Sequence, residues 1–557
     1  MSRRRLATVA SLAAVAVVVA LPLRGMFRSQ GPPMEEGFML VFPELVLDGK
    51  VPHRDFLHLY GPGSLWVLAA WYWLFGVTLE VQRWFGVLQV VGLGAATYRI
   101  ARPWGRSAAA PAAAVAVVVT VSASGLVALA WVGGLARGLF ALGAAHRARA
   151  AGPGVAGRRW AAAAGALAAG SLLFRPDLVL AIGLALGLLA TSLDGARRRA
   201  LGTALAVGLS PYLLLLAWAG PADTVRGLVL EPVFELRPGR RLPLPPSGDT
   251  YAGWNQGFAD LVPLRWPDTL FEGPMQLRLW FFGLLAGVAL LVAVALWRMR
   301  ARPRTDAAWR LAAIAAFSLG ILPQALQRAD STHLGWAGAV PLALVPVAIG
   351  EISRSRVGRP AVRNAVGVVT VAATMFLFAP FFTLRPYVDY SVQTFDRHRT
   401  AFEVERGSRR YYYGRDDVAT GAQRLLDDIG TWARAGDRLF VGNVDLRKTP
   451  YSDAWLYYML PELEPATRYI EMDPGVANAD DSGLDAELAS ADLAILTSSF
   501  DGFVEPNASR DLGSTAPVEV LDAQFCLVAT YEGGIELHVA CDRLDAHGNR
   551  AGGEPLR

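Results

Sequence analysis

The feature that most constrains this chain is a series of twelve apolar runs before residue 384, each near the length that spans a lipid bilayer. They lie near 6–23, 63–79, 84–100, 108–122, 126–143, 160–174, 177–193, 200–219, 279–297, 311–327, 336–350 and 364–383. Only 18% of the residues are charged, where a soluble protein of this size carries about a quarter. The runs predict a polytopic α-helical membrane protein.

Clusters of arginine between the runs predict the orientation, because cytoplasmic loops are enriched in positive charge. The clusters lie at 147–159, 197–199, 298–310 and 354–363, which places the N-terminus in the cytoplasm and everything beyond 384 outside. A cytoplasmic N-terminus and an external C-terminus require an odd number of crossings. We therefore expect eleven of the twelve runs to cross the bilayer, give or take one. We expect the run that fails to cross to be 108–122 or its neighbour, which is interrupted at 122–125. The first run resembles a signal peptide but lacks a convincing cleavage site, so we expect it to be retained.

Residues 385–557 differ in pattern from the membrane domain 1–384 and predict a soluble extracytoplasmic α/β domain. We expect helices at 422–435 and 453–460, strands at 437–442 and 467–472, and a helix leading into a strand at 484–496. A closing hairpin is expected at 525–531 and 535–541. No Gly-x-Gly-x-x-Gly follows a strand in this domain, so a nucleotide site has no support.

The chain has two cysteines, Cys526 and Cys541, and both lie in this final hairpin. A two-residue turn at Gly533-Gly534 would place them opposite each other as a hydrogen-bonded pair, with Cα atoms about 5.5 Å apart. That separation permits a disulfide, and disulfides persist outside the cytoplasm. We therefore predict a disulfide, with two buried free thiols as the alternative.

The first external loop, residues 24–62, concentrates polar side chains that could carry chemistry. Adjacent carboxylates at Glu35 and Glu36 begin a segment in which Phe38, Phe42, Leu45 and Val46 recur at helical spacing, so we expect a helix lying flat on the bilayer. The polar residues that follow are His53, Arg54, Asp55, His58 and Tyr60. A carboxylate there can act as a base, and the cations can hold an anionic head group. The alternative is that the two glutamates only favour a helix N-terminus.

Two further groups of polar residues stand at the external ends of apolar runs. Arg175 and Asp177 join two short runs, and Arg328, Asp330 and His333 lie between 311–327 and 336–350. Loop caps or a buried Arg–Asp pair would explain them structurally, but ionisable pairs between short membrane helices more often serve function. We include Arg175, Arg328, Asp330 and His333 among the candidate substrate-binding residues.

The first loop resembles a signature of the GT-C glycosyltransferases, which include protein O-mannosyltransferases, lipid A aminoarabinose transferases and arabinofuranosyltransferases. The resemblance lies in Glu35-Glu36-Gly37, in Leu47-Asp-Gly-Lys-Val-Pro-His-Arg-Asp-Phe56, in Gly61-Pro62 and in Leu74-Phe-Gly76 with Arg83. It covers residues 30–110 in detail and the membrane half more loosely. The family usually has aspartate at the position of Glu35, so this chain carries a carboxylate that extends one methylene further.

The resemblance implies a GT-C-like fold and transfer of a hexose or pentose from a polyprenyl-phosphate donor, with inversion, outside the membrane. In the family the first acid deprotonates the acceptor hydroxyl, which implies that role for Glu35 and leaves Glu36 as its rival. His53, Arg54, His58 and Arg175 are the candidates for the lipid phosphate. Some relatives use a divalent metal, but the sequence shows no metal constellation beyond the clustered acids, so none is predicted.

Three functions remain open from the sequence. The first is this glycosyltransferase, with an envelope glycan, lipid or protein as acceptor. The second is a transporter or flippase of a lipid-linked envelope intermediate, which would more often carry ionisable groups deep in its spans or paired internal repeats. The third, a membrane anchor for an adhesive domain, does not need eleven passes. Binding of nucleic acid is excluded because the arginines lie in the inter-helix loops and not along one face.

Overall fold

The structure is a computed structural model that describes residues 3–251, 269–301, 303–355, 357–395, 401–449, 451–503, 505–507, 510–550 and 556. All twelve apolar runs are helical in it. The helices of the membrane half are α1 Arg3–Ala20, α2 Leu23–Met26, α3 Pro33–Leu47, α4 Pro62–Phe75, α5 Leu79–Ala101, α6 Arg106–Ser124, α7 Ala130–Ala151, α8 Val155–Phe174, α9 Val179–Ala190, α10 Gly195–Gly208, α11 Pro211–Ala219, α12 Pro221–Val225, α13 Leu236–Arg240, α14 Gly248–Thr250, α15 Gly273–Arg300, α16 Asp306–Gln327, α17 Ser331–Ile352, α18 Pro360–Phe378, α19 Pro380–Thr383 and α20 Arg385–Phe395. A π-helix, Arg226–Glu235, connects α12 to α13.

Seven helical segments among the described residues are long and apolar enough to cross a membrane, which makes the chain a multi-pass membrane protein. They are Arg5–Met26, Arg106–Ser124, Gly195–Ala219, Gly273–Arg300, Asp306–Gln327, Ser331–Ile352 and Pro360–Phe378. Small residues dominate the contact faces of α6, α7 and α8, where buried alanines and glycines allow the backbones to approach closely.

We infer that helix α4 is the apolar run that does not cross the bilayer. The residues on both sides of it touch the C-terminal domain: the Leu57 amide donates to the Arg468 carbonyl oxygen at 2.9 Å, and Glu80 pairs with Arg410 at 3.4 Å. The 14 residues of α4 also cover only about 21 Å, less than the hydrocarbon core of a bilayer. The expected exception 108–122 lies in α6, a continuous helix of 19 residues that is long and apolar enough to cross. The expectation that its neighbour 126–143 fails to cross stays a prediction. Setting α4 aside leaves eleven of the twelve runs, and the count of eleven crossings stays a prediction.

The apolar side chains of helix α3, which the sequence was expected to place against the bilayer, are buried inside the protein. The orientation of the helix along the bilayer surface stays a prediction. Phe38 and Phe42 have no exposed surface, and Glu36 is only 1% exposed. Phe42 stacks on Phe56 with ring centroids 5.3 Å apart, and α3 also packs against α4 and against a helix of the C-terminal domain. The apolar residues of α3 are buried because the C-terminal domain covers the side of the helix that lipid would otherwise meet.

The C-terminal domain is an α/β domain, as predicted. Its elements are β1 Phe402–Arg406, β2 Arg409–Tyr413, α21 Asp416–Trp432, β3 Arg438–Asn443, α22 Trp455–Met459, β4 Glu464–Pro465, α23 Leu484–Ala489, β5 Leu493–Thr497, α24 Ala516–Gln524, β6 Phe525–Tyr531 and β7 Ile535–Ala540. The main sheet has the order β4-β3-β5-β7-β6, with β3 parallel to both β4 and β5 and the other pairs antiparallel.

Three details of this domain differ from the sequence-based expectation. The segment 467–472 is not a strand but a series of turns, in which Met472 has a φ of 54°. The hairpin β1–β2 was not predicted. Helix α20, which the division at 384 assigns to the tail, packs on α2, where the Gly25 amide donates to Oγ1 of Thr394 at 3.1 Å.

Cys526 and Cys541 form a disulfide, with Cα atoms 5.2 Å apart, although the predicted register of the hairpin is wrong. Tyr531 pairs with Ile535 across a three-residue turn, and a β-bulge between Leu527 and Ala529 shifts the remainder of the strand. Cys526 consequently lies opposite Val539. Cys541 follows the end of β7, in a short 3₁₀ helix that brings its sulfur back to Cys526.

Candidate active site between the membrane helices and the C-terminal domain

The two adjacent carboxylates of α3 lie in different environments. Glu36 forms a bidentate ion pair with Arg83 of α5, in which Nε donates to Oε1 at 2.8 Å and Nη2 donates to Oε2 at 2.7 Å. Arg83 also donates to the carbonyl oxygens of Met26 and Ser29, and its side chain is 2% exposed. Glu36 thus anchors α3 to α5, and both of its oxygens are occupied.

Glu35 points the other way, into a cavity. Its Oε2 atom is buried and has no hydrogen-bond partner among the described residues. Burial raises the pKa of Glu35 from 4.5 to about 7, although Arg240 and Arg328 act in the opposite direction. A carboxylate with this pKa exchanges its proton readily near neutral pH, as a general base must.

This cavity, which we call the outer cavity, has a volume of about 320 Å³ and lies at the end of the membrane half that faces the C-terminal domain. Its polar lining residues are Glu35, Tyr60, Arg175, Asp177, Arg237, Arg240, Gln324, Gln327, Arg328, His333 and Glu471. Side chains from the first loop, the 174–178 connection, α13, the α16–α17 connection and the C-terminal domain therefore meet at one place.

Arg175 is held at the outer cavity by a carboxylate and by aromatic rings. Its Nε and Nη2 donate to Asp177 at 3.0 and 2.7 Å. The guanidinium lies 4.6 Å from the ring centroid of Tyr60, 5.0 Å from Trp131 and 5.9 Å from Trp336. Its Nη1 is buried without a hydrogen-bond partner in the described part of the chain, so one donor of a fixed cation remains available to a ligand.

The polar group between α16 and α17 forms a network at the same cavity. Asp330 caps α17 by accepting from the His333 amide at 2.8 Å, and it accepts from Nε of Arg328 at 2.6 Å. His333 and Arg328 hold the pKa of Asp330 well below its usual range, against the opposing effect of burial. Arg328 also donates to Tyr451 at 3.1 Å and pairs with Glu505, both from the C-terminal domain. This network joins the two domains.

Sequence reasoning missed the residues contributed by α13 and by the 467–473 turns. Arg240 pairs with Asp473 at 2.8 Å and lies 3.6 Å from Glu471, and burial raises the pKa of both carboxyls. Arg237 also lines the cavity. A signal for the arginines was present, because Arg237, Arg240 and Arg241 form a basic cluster in a segment that the orientation places outside. Nothing in the sequence distinguished Glu471 from the residues of an ordinary strand.

Of the candidates in the first loop, Tyr60 lines the outer cavity with Glu35, whereas the others lie elsewhere. Arg54 is exposed and pairs with its neighbour Asp55 at 2.9 Å. His58 is buried beside Phe42 and Phe56, and the ring of His53 is buried next to it, with centroids 6.1 Å apart. Burial lowers the pKa of His53 to about 4 and that of His58 well below its usual range. Both rings are therefore neutral at pH 7 and carry no charge toward a phosphate.

Among the residues that the structure describes, no group of three or more His, Cys, Asp or Glu side chains has an arrangement that could hold a metal ion. The outer cavity nevertheless contains carboxylates from three separate segments, Glu35, Asp177 and Glu471. Each of the latter two is already next to an arginine.

Comparison with known proteins places the fold. No protein-family model matches the chain, and no curated protein matches it. Among solved structures it resembles ArnT from Cupriavidus metallidurans bound to undecaprenyl phosphate, with a TM-score of 0.50, 14% identity and coverage of 95% of this chain and 97% of that one. The apo form of the same protein matches with a TM-score of 0.50. The archaeal oligosaccharyltransferase AglB from Archaeoglobus fulgidus matches with a TM-score of 0.47 at 11% identity, over 96% of this chain and 75% of that one.

The chain therefore has the fold of ArnT, with a multi-pass helical membrane domain followed by a C-terminal α/β domain, and the predicted class of a polytopic α-helical membrane protein with such a domain is confirmed. The likeness to ArnT extends over nearly the whole of both chains, so it includes the C-terminal domain as well as the helices.

Proposed function

We propose that this protein is a membrane glycosyltransferase that moves a hexose or pentose from a polyprenyl-phosphate donor to an envelope acceptor, with Glu35 as the general base. The observation that carries the proposal is the environment of Glu35, a buried carboxylate with a free oxygen and a pKa near 7, in a cavity lined by four arginines. The likeness to ArnT bound to undecaprenyl phosphate supports a lipid-phosphate donor.

The reaction that fits this cavity is a single displacement. Glu35 takes the proton of the acceptor hydroxyl, whose oxygen forms a bond to the anomeric carbon of the sugar. The bond from that carbon to the phosphate oxygen breaks, and polyprenyl phosphate leaves with the electron pair. Attack opposite to the leaving group inverts the anomeric carbon, and positive charge develops on the sugar as the phosphate departs.

Arg175 and Arg237 are the residues that we assign to the leaving phosphate. Arg175 has its Nη1 unpartnered, and Arg237 forms no ion pair within the part of the chain that the structure describes. Arg240 and Arg328 are each already paired with buried carboxylates, so we assign them a positioning role between the membrane half and the C-terminal domain. His53, Arg54, Asp55 and His58 lie outside the cavity lining, and we assign them no contact with the phosphate.

The experiment measures transfer of radiolabelled sugar by the purified protein from a panel of undecaprenyl-phosphate donors that carry pentoses or hexoses, with envelope extracts as acceptors. The variants are Glu35→Gln and Glu36→Gln. Glu44→Gln is the matched control, because Glu44 is on the same helix and is ion-paired to Arg409 but does not line the cavity. Binding of undecaprenyl phosphate is measured in parallel for every variant.

We expect Glu35→Gln to lower kcat by about 10²- to 10⁴-fold, the usual contribution of a general base, while lipid binding is retained. Glu36→Gln should lower the yield of folded protein, and the folded fraction should transfer sugar far better than Glu35→Gln. Unchanged kcat in Glu35→Gln would refute the assignment of the base. If no donor in the panel supports transfer by the wild type while the lipid still binds, the transporter or flippase becomes the better explanation.

A further inference from the structure

A second cavity lies at the opposite end of the membrane half from the outer cavity. We call it the inner cavity; its volume is about 650 Å³ and it lies between α5, α7, α8 and α16. Its cationic lining residues are Arg99, Arg102, Arg147 and Arg310. Along α7, Arg147 is 16 residues from Trp131 of the outer site, which corresponds to about 24 Å. The inner cavity therefore does not belong to the proposed active site.

The four arginines of the inner cavity are not ion-paired, and Asp306, the acidic residue near Arg310, is paired with Arg149 instead. None of them forms an ion pair or a side-chain hydrogen bond among the described residues, and the Nε of Arg310 is buried without a partner. Arg147 instead lies over Trp160, 4.5 Å from the ring centroid. Four positive charges around one cavity repel each other, so an anion that enters between them gains attraction from all four.

Other arginines at the same end of the helices are neutralised within the protein. Arg149 pairs with Asp306, Arg197 pairs with Asp194 at 3.0 Å, and Arg298 pairs with Glu351 at 3.1 Å. The positive-inside tendency accounts for arginine at this end in general. It does not account for the concentration of four unpaired ones around a single cavity.

The remaining lining of the inner cavity is apolar. Leu139, Phe140 and Leu167 line its deeper part, and Leu139 precedes Arg147 by eight residues of α7, or about 12 Å. Cations at the rim and apolar side chains below them match the two parts of a phospholipid. A small soluble anion would use the rim but would gain nothing from the apolar wall.

We propose that the inner cavity binds the head group of an anionic phospholipid, with its phosphate groups among Arg99, Arg102, Arg147 and Arg310 and the start of an acyl chain along the apolar wall. Four cations suit a head group with two phosphates, such as that of a cardiolipin. Basic pockets between membrane helices on the cytoplasmic side are known to suit such lipids. The inference is independent of the proposed glycosyl transfer.

The test measures lipid binding to the delipidated, detergent-solubilised full-length protein by native mass spectrometry, with cardiolipin and with phosphatidylcholine as probes. The pocket variant is Arg147→Gln/Arg310→Gln. The control variant is Arg198→Gln/Arg199→Gln, which removes two exposed positive charges near the start of α10, outside the cavity. Thermal unfolding of both variants checks that they remain folded.

We expect cardiolipin to bind the wild type and the control variant equally, and to bind the pocket variant roughly 30-fold more weakly, as the loss of two cations near a lipid phosphate implies. Phosphatidylcholine should bind all three proteins weakly. Equal weakening in the two variants would refute the site, since it would indicate only surface charge. Displacement of cardiolipin by millimolar pyrophosphate would also refute the proposal, because it would show that a soluble anion is sufficient.

Discussion

Arginine surrounds both cavities of the membrane half, but its partners differ between the two ends. At the outer cavity Arg175, Arg240 and Arg328 each pair with a carboxylate from their own or a distant segment, and only Arg237 is unpaired among the described residues. At the inner cavity all four arginines lack such a partner. Paired arginines fix the relative positions of the segments that carry them. Unpaired arginines around a cavity are arranged for an anion that the protein does not itself supply.

The two cavities also differ in the acidic residues that line them. The outer cavity places Asp177 and Glu471 close to arginines, which lowers its net charge, while the Oε2 atom of Glu35 has no hydrogen-bond partner among the described residues. Such an arrangement suits a reaction in which one proton moves and a phosphate departs. The lining of the inner cavity contains no acidic residue within the described chain, so it offers no base and favours binding alone.

The largest expected effect is the loss of stability when a paired arginine is replaced, which replacement of an unpaired arginine should not cause. Arg328→Gln leaves Asp330 and Glu505, which are 2% and 4% exposed, without their cation, and should lower the free energy of unfolding by about 3–5 kcal/mol. Arg147→Gln at the inner cavity should change it by less than about 0.5 kcal/mol. Unfolding in detergent by denaturant measures both. Equal effects would contradict the contrast between the two cavities.

The next effect concerns Glu35, whose burial should destabilise the protein at high pH. Because the pKa is about 7 in the folded protein and 4.5 ordinarily, the folded state binds the proton more tightly, and stability falls as the pH rises through this window. Glu35→Gln removes that cost, so it should raise the free energy of unfolding by up to about 3 kcal/mol at pH 8 and leave it unchanged at pH 4. Glu36→Gln, which breaks the pair with Arg83, should be destabilising at both pH values. A Glu35→Gln protein no more stable than wild type at pH 8 would show that Glu35 is not a buried, uncompensated carboxylate.

A smaller effect is expected in the pH dependence of sugar transfer. A base with a pKa of about 7 is mostly ionised at pH 8 and mostly protonated at pH 6, so kcat/KM should fall about tenfold between them. The residual rate of Glu35→Gln should show no such step. If kcat/KM of the wild type, measured with saturating acceptor, does not change from pH 6 to pH 8, the role of Glu35 as the base is contradicted.

The smallest effect compares the aromatic rings that hold one arginine at each end. Tyr60→Leu removes the ring under Arg175 and should raise KM for the lipid donor about two- to fivefold, because one cation–π contact is lost. Trp160→Leu removes the ring under Arg147 and should leave the transfer kinetics unchanged. Steady-state kinetics measure both variants. A similar rise in KM from Trp160→Leu would mean that the inner cavity acts on the reaction and is not a separate site.

The sequence predicted much of the architecture because the bilayer imposes its own rules. The apolar runs predicted twelve helices. The arginine clusters required an odd number of crossings, so one of these helices had to be one that does not cross. Identifying the exception as α4 required the tertiary contacts of Leu57 and Glu80 with the C-terminal domain. The register of the last hairpin was mispredicted because its turn has three residues instead of two, and because the bulge near Leu527 has no signature in the residues themselves.

The candidate site was predicted only in part, and the physical reason is distance along the chain. The choice of Glu35, Tyr60, Arg175 and the group at 328–333 as candidates could be made from polar residues at the ends of apolar runs, and the structure places them at one cavity or next to it. That of Glu471 could not, because it reaches the outer cavity from an irregular segment that the pattern of alternating residues misrepresented as a strand, and Asp473 just beyond it pairs with Arg240. Packing of the C-terminal domain on the membrane half brings Glu471 there, and no local pattern encodes it.

The sequence by itself determined that this chain crosses a membrane many times, that its C-terminal part is an α/β domain, and that two adjacent glutamates stand in the first loop. These follow from hydropathy, periodicity and composition, which act locally. Only the tertiary structure decided which glutamate faces the cavity. Arg83, 47 residues after Glu36, occupies both oxygens of that carboxylate and leaves Glu35 directed toward the cavity. Two neighbours on one helix differ in role because they point to different sides of it, and what lies on each side is set by the packing of distant segments.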